Sequence, residues 1–251
     1  VSHLAEIGPW LPVFFLAALV YSSVGHGGAS AYLALLVLSG LARPETVPLV
    51  LVLNIAVASI AFVNYRRAGH FSLRLLWPFA LTSVPAAFIG GSLHVSMQVF
   101  SVILGLALLA AAVRFLLFSS SRQTPIVHLP HGRLLIALPA GVILGLLAGL
   151  VGIGGGIFLS PLLLLLGWAD ARQTGAVTAG FIILNSASGL MAQTFSRAPD
   201  WSLLWPLLAA VLAGAAIGSR WGAFRLSVAR LQQVLGVVLL AAGVKLLVSH
   251  L

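Results

Sequence analysis

The chain is a succession of apolar stretches, several close to the ~20 residues an α-helix needs to cross the hydrocarbon core of a bilayer. They run over 12–24, 30–41, 46–64, 75–93 and 97–117, and then over 134–151, 157–168, 174–195, 201–219 and 231–249. Membrane β-strands would instead alternate in polarity over roughly ten residues, so the expected fold class is all-α and polytopic. Composition agrees. Hydrophobic residues make up 61% and charged residues 7%, whereas a water-facing surface needs charge at about a quarter of its positions. With a mean hydropathy of +1.14, most outward side chains must face lipid, and the bilayer is the first partner.

The text is also duplicated. Val24-Gly25-His26-Gly27-Gly28-Ala29 answers Val151-Gly152-Ile153-Gly154-Gly155-Gly156, and further matches follow in the same order. Leu53-Asn54 pairs with Leu184-Asn185, Leu75-Leu76-Trp77-Pro78 with Leu203-Leu204-Trp205-Pro206, and Leu104-Gly105 with Leu235-Gly236. The last pair leads through alanines to Arg114 and Lys245. Asn and Trp-Pro are uncommon in Leu/Ala/Gly-rich text, so chance alignment is a poor explanation. The expected organisation is a first transmembrane repeat at 1–118, a polar cytoplasmic linker at 119–133 and a second repeat at 134–251. No basic n-region or small-residue cleavage site precedes the apolar run from Trp10, so no cleaved signal peptide is expected.

Each half carries an apolar piece before its glycine cluster, a short piece after it, and about three further spans. The flanking pieces form either one broken crossing or a hairpin that returns to its starting side. Lys and Arg concentrate in cytoplasmic loops, which discriminates between the two. A single crossing divides the 13 basic residues eight to five; a returning hairpin divides them ten to three, leaving only Arg43, Arg197 and Lys245 opposite the rest. The hairpin is therefore expected. It makes the crossings per half odd, so the halves should be inverted repeats, with both termini extracytoplasmic.

The glycine clusters fall where the hairpins turn. Gly breaks a helix at little steric cost and exposes backbone amides, and irregular backbone survives at membrane depth only where protein or a wet cavity covers it. The pieces beginning near Ala29 and Ile157 would present helix N-termini there, with free N–H groups and partial positive charge suited to an anion. The candidate substrate-binding residues are Ser23, Gly25, His26, Gly27, Gly28, Asn54, Gly152, Gly154, Gly155, Gly156 and Asn185. The glycines could instead serve helix packing, and Asn54 and Asn185 either donate to a substrate or cap broken backbone. Tyr21, Ser22, Ser30, Ser160, Thr178 and Ser188 add neutral donors nearby. His26 is the one deep ionisable side chain, either a loop-holding hydrogen-bonding group or a titrating one that couples a proton.

These clusters, the Asn-bearing spans and the two-half layout resemble the TauE/SafE sulfite exporters, also called the 4-toluene sulfonate uptake permease superfamily, over nearly the whole chain. The resemblance implies transport of sulfite or organosulfonate anions across the bacterial cytoplasmic membrane. The first cluster departs from the fuller second one, with His26 and Ala29 where the other has Ile153 and Gly156.

The leading expectation is a secondary transporter of small sulfur-containing anions, with a proton or another ion as coupling partner. An anion channel of the same architecture, or a transporter of another small anion, would use the same donors. No Asp or Glu lies in an expected span, which argues against a carboxylate relay. An enzyme is not expected: paired carboxylates, a nucleophile elbow and repeated metal-ligand spacing are missing, and His128 with His131 is too small a set for a metal site. The lack of Cys excludes thiol catalysis and disulfides, and no P-loop or cofactor motif is present. The net charge of +9 sits between apolar spans rather than in a basic and aromatic recognition surface, so no nucleic acid partner is expected. The sequence fixes no oligomeric state.

Overall fold

The computed structural model describes residues 7–93, 96–117, 132–196, 201–224, 237, 239–241, 243–245 and 247–248. The expected linker, apart from Gly132 and Arg133, lies outside these residues, as do Arg122, Arg197, Arg225 and Arg230. The first half is α1 (Leu11–Ser22), preceded by a 3-10 turn at Gly8–Trp10, then α2 (Ala29–Leu38), α3 (Val47–Arg67), α4 (Leu73–Ser92) and α5 (Met97–Leu117). The second is α6 (Arg133–Val151), α7 (Gly156–Leu165), α8 (Ala171–Ser196) and α9 (Leu204–Phe224), with the described residues between 237 and 248 also helical. Among the described residues there is no strand, and α3, α4, α6, α8 and α9 are long and apolar enough to cross a membrane. The protein is all-helical and multi-pass, as expected.

Two helix ends differ from expectation. Asp170 accepts from the Gln173 amide at 2.8 Å, an N-cap that starts α8 at Ala171 rather than 174. The polar run Arg172-Gln173-Thr174 conceals that start from hydropathy. At the other end α9 continues past 219 to Phe224, so Arg220 sits in a helix rather than a loop.

Helices α3 and α8 cross at the centre, antiparallel: Tyr65 lies by Gly175, Asn54 by Ser186 and Leu51 by Gly189. Around them α6 lies parallel to α4, and α9 parallel to α1, through two ladders of glycines four residues apart. Gly141, Gly145 and Gly149 press on the α4 backbone at Phe79, Ser83 and Ala87; Gly214, Gly218 and Gly222 press on the α1 end at Phe15, Leu19 and Ser23. A Cβ at any of these six would meet backbone atoms of the neighbouring helix, so the chains approach as closely as small-residue membrane packing allows. α4 carries Pro78 and Pro85 in its interior. Hydroxyls tie it to its neighbours: its own Thr82 donates to Leu138 O of α6 at 2.8 Å, and Ser188 of α8 donates to Val84 O of α4 at 2.6 Å.

The glycine clusters do turn hairpins. α1 and α2 are joined by a loop whose return is fixed by Tyr21 Oη against Ser30 Oγ at 2.7 Å, and α2 descends alongside the first half of α3. Arg66 and Arg67 gather with Arg172 and Arg220 at one end of the bundle, because Asn64 bonds Ser219 and Tyr65 abuts Gly175. Lys245 lies at the opposite end, where its Nζ donates to the α2 carbonyls of Val37 at 2.9 Å and Leu38 at 3.3 Å.

Candidate functional site

α2 and α7 are ten-residue helices, each begun by a glycine in the left-handed region: Gly28 at φ 98° and Gly155 at φ 71°. L side chains rarely adopt that conformation, so glycine both permits the sharp entry and leaves the N-cap without a side-chain acceptor. The amides of Gly27, Gly28, Ser30 and Ala31 on the first hairpin, and of Gly154, Gly155, Gly156 and Ile157 on the second, have no acceptor among the described residues. All of these residues are buried. Buried backbone N–H groups are nearly always paired, and a helix start buried without a partner is a ready site for negative charge.

The two tips meet at one carboxamide. Asn54 Oδ1 accepts from the Ala29 amide at 3.1 Å, while its Nδ2 donates to Ser186 Oγ at 2.9 Å. Gly27 packs directly on Asn54, and a Cβ at Gly154 would lie 2.5 Å from Asn54 Nδ2 and 2.6 Å from Ser186 Oγ. One central side chain thus touches both hairpins and α8.

A second bridge joins the tips through His26. Its Nδ1 lies 3.1 Å from the carbonyl of Val24, an acceptor only, so that nitrogen carries the proton and donates. In the neutral ring Nε2 then accepts from Ser160 Oγ of α7 at 3.0 Å, and Ser160 Oγ accepts in turn from Thr178 Oγ1 at 3.0 Å. Protonation of Nε2 would reverse the bond to Ser160, whose Oγ would then accept from the imidazolium. Tyr32 Oη donates to Gly27 O at 2.9 Å and stiffens the same tip.

The structure therefore gathers His26, Gly27, Gly28, Asn54, Gly154, Gly155 and Gly156. The other expected residues stand apart. Ser23 donates its hydroxyl to Val20 O at 2.6 Å and lies toward Tyr65, whose Oη donates to Ser23 O at 2.7 Å. Gly25 packs on Gly175, and Gly152 on Val47. Asn185 is fully buried, donates Nδ2 to Phe181 O at 2.9 Å within its own helix, and leaves Oδ1 without a partner. Ser186 and Tyr32 were not anticipated. Ser186 has a detectable signal, since with Thr178 and Ile182 it recurs every four residues on the α8 face that meets α7 and Asn54. No group of three His, Cys, Asp or Glu that could hold a metal ion occurs among the described residues.

Spanning helices, two glycine-joined helix pairs and a buried polar centre define a multi-pass membrane protein. A family model described as "Sulfite exporter TauE/SafE" matches residues 10–246. The "Probable membrane transporter protein y4hK" of Sinorhizobium fredii (strain NBRC 101917 / NGR234) is 35% identical over 237 residues, covering 93% of this chain and 95% of the relative. The "Probable membrane transporter protein YjnA" of Bacillus subtilis (strain 168) is 27% identical over 248 residues, covering 93% and 96%. No solved structure matches the chain. The chain belongs to the TauE/SafE sulfite exporter family and is a membrane transporter.

Proposed function

We propose that this protein is a secondary transporter of small sulfur-containing anions, sulfite or short organosulfonates, bound between the α2 and α7 N-termini. The observation that carries the reading is the pair of buried helix starts flanking Asn54, whose amides other than that of Ala29 have no acceptor among the described residues. Their amides and dipole ends supply positive potential without a cation. Each helix end contributes ~0.3–1 kcal/mol toward an anion, and up to ~2 kcal/mol where partly buried. The hydroxyls of Ser160, Thr178 and Ser186 stand beside them to take part in binding. The family description supplies the sulfur anion.

The halves act as inverted repeats that rock about the α3–α8 crossing. This is supported by the antiparallel course of those two matched helices and by the reciprocal pairing of α1 with α9 and of α4 with α6. The end bearing Arg66, Arg67, Arg172 and Arg220 is cytoplasmic by the distribution of positive charge. His26 couples a proton to substrate through its reversible bond to Ser160.

The test is counterflow in proteoliposomes. Labelled sulfite should accumulate against an unlabelled sulfite or sulfonate load and saturate with concentration. Uptake that never saturates and shows no exchange would mean a channel; no movement of any sulfur anion would overturn the substrate assignment.

A further inference from the structure

α3 carries a second polar feature, on the side away from the hairpins. At 3.6 residues per turn, Asn54, Ala58, Ala61 and Tyr65 share one narrow sector of α3, whereas Ser59, Ile60, Val63 and Asn64 fall roughly 140° to 280° round from Asn54. There α3 and α9 leave a cavity of about 300 Å³ lined by Ser59, Ile60, Val63, Asn64, Ala216 and Arg220. It opens to the outside of the bundle, where Val63 and Ile217 are exposed.

Its chemistry is divided by depth. At the basic end stands Arg220, which makes no ion pair among the described residues, in the same region as the exposed Arg66 and Arg67. Beside it Asn64 is held by donating Nδ2 to Ser219 Oγ at 2.7 Å, and Ser219 donates to Ala215 O at 2.6 Å. Trp221, half-exposed, follows Arg220 and marks the depth where indoles favour the bilayer interface. Ser59 lies roughly 7 Å further in along α3, with a hydroxyl that has no partner among the described residues. Ile60, Val63 and Ala216 supply the apolar wall.

We propose that this cleft is a binding site for an anionic phospholipid of the leaflet at the basic end. The lipid phosphate is held by the Arg220 guanidinium, with the Asn64 carboxamide beside it. The ester region faces Ser59, and an acyl chain follows Ile60, Val63 and Ala216. A planar guanidinium recognises phosphate with two parallel hydrogen bonds, and a charge at this depth is most favourably placed when paired. A soluble anion would leave the apolar wall uncovered. The site is separate from the glycine hairpins and does not depend on what they carry.

The experiment is native mass spectrometry of the purified full chain with phosphatidylglycerol and phosphatidylcholine added at equal concentration. A phosphatidylglycerol adduct should predominate, and Arg220→Gln should weaken it about tenfold. Ala216→Trp, which fills the cleft and keeps every charge, should weaken it similarly. Arg43→Gln at the opposite end should leave it unchanged. Thermal unfolding of each variant confirms the fold. Inorganic phosphate and glycerol phosphate, added in excess, should fail to displace the lipid. Equal retention of the two lipids, an adduct indifferent to both cleft variants, or displacement by inorganic phosphate would each overturn the proposal.

Discussion

Asn54 engages both ends of its carboxamide between two helices and a hairpin tip, whereas Asn185, its counterpart in the repeat, bonds only its own helix and leaves an acceptor buried. Asn54→Leu should therefore lower stability by about 2 kcal/mol, because the Ala29 amide loses its acceptor and Ser186 its donor. Asn185→Leu, close in size, removes an unsatisfied oxygen and should leave stability unchanged or raised. Thermal unfolding in detergent distinguishes them, and equal losses at both positions would contradict the assignment of Asn54 as the central tie. His26 is tested by pH: imidazole is the side chain that ordinarily changes charge between pH 5 and 8. Flux through the wild type should vary across that range, and His26→Gln, which bonds but does not titrate, should flatten the profile. An unchanged profile would assign His26 to holding the loop. Asn54 and His26 were legible in the sequence as polar residues stranded in apolar text. Ser160 is legible only as one neutral donor among several near the clusters, and Ser186 is missed, because Ser is common in membrane helices and more often bonds its own backbone. That the two matching asparagines behave differently was hidden too, since their sequence contexts look alike.

At the scale of elements, the glycines divide into two groups that composition does not separate. Those at 27, 28, 154, 155 and 156 make the hairpin tips; those at 141, 145, 149, 214, 218 and 222 let whole helices touch. Gly145→Leu and Gly218→Leu should each lower stability by ~1–3 kcal/mol or more, since backbone is the obstacle and cannot move aside as a side chain can. Gly154→Ala should impair anion binding as well as lower stability, because Gly154 sits at φ 68° and the intruding methyl meets Asn54 and Ser186 at the centre. Comparing unfolding temperature with binding of sulfite across the three variants checks this; a tip variant that binds normally while folded would return the tips to a packing role. The paired helices around each glycine cluster were legible because glycine runs interrupt apolar text there. The ladders were not, because glycine at every fourth position is unremarkable in a chain with 26 of them, and only helix adjacency reveals the partner. Lys245 illustrates the same limit: its match to Arg114 was visible, but its bond to the α2 carbonyls depends on which helix lies beside it.

For the whole molecule, the described basic residues separate between the two ends of the bundle. Arg66, Arg67, Arg172 and Arg220 share one end, while Lys245 joins the α2 carboxyl end at the other. The chain has no native Cys, so single cysteines at 66 and 220 should be labelled from the same, cytoplasmic, face and one at 43 from the opposite face. Labelling of 66 and 220 from opposite faces would contradict the inverted arrangement. The all-helical, multi-pass fold class could be read from hydropathy, since the bilayer forces it. The meeting of two helix starts on Asn54 could not, because it depends on how the halves interlock across more than a hundred residues. The most direct test of the central claim is calorimetric binding of sulfite to the purified wild type and to Gly154→Ala, with the fold of both verified. The account predicts saturable binding at one site per chain, competed by a short sulfonate and lost or weakened at least tenfold in the variant. Sulfite that binds both proteins equally, or neither, would contradict it.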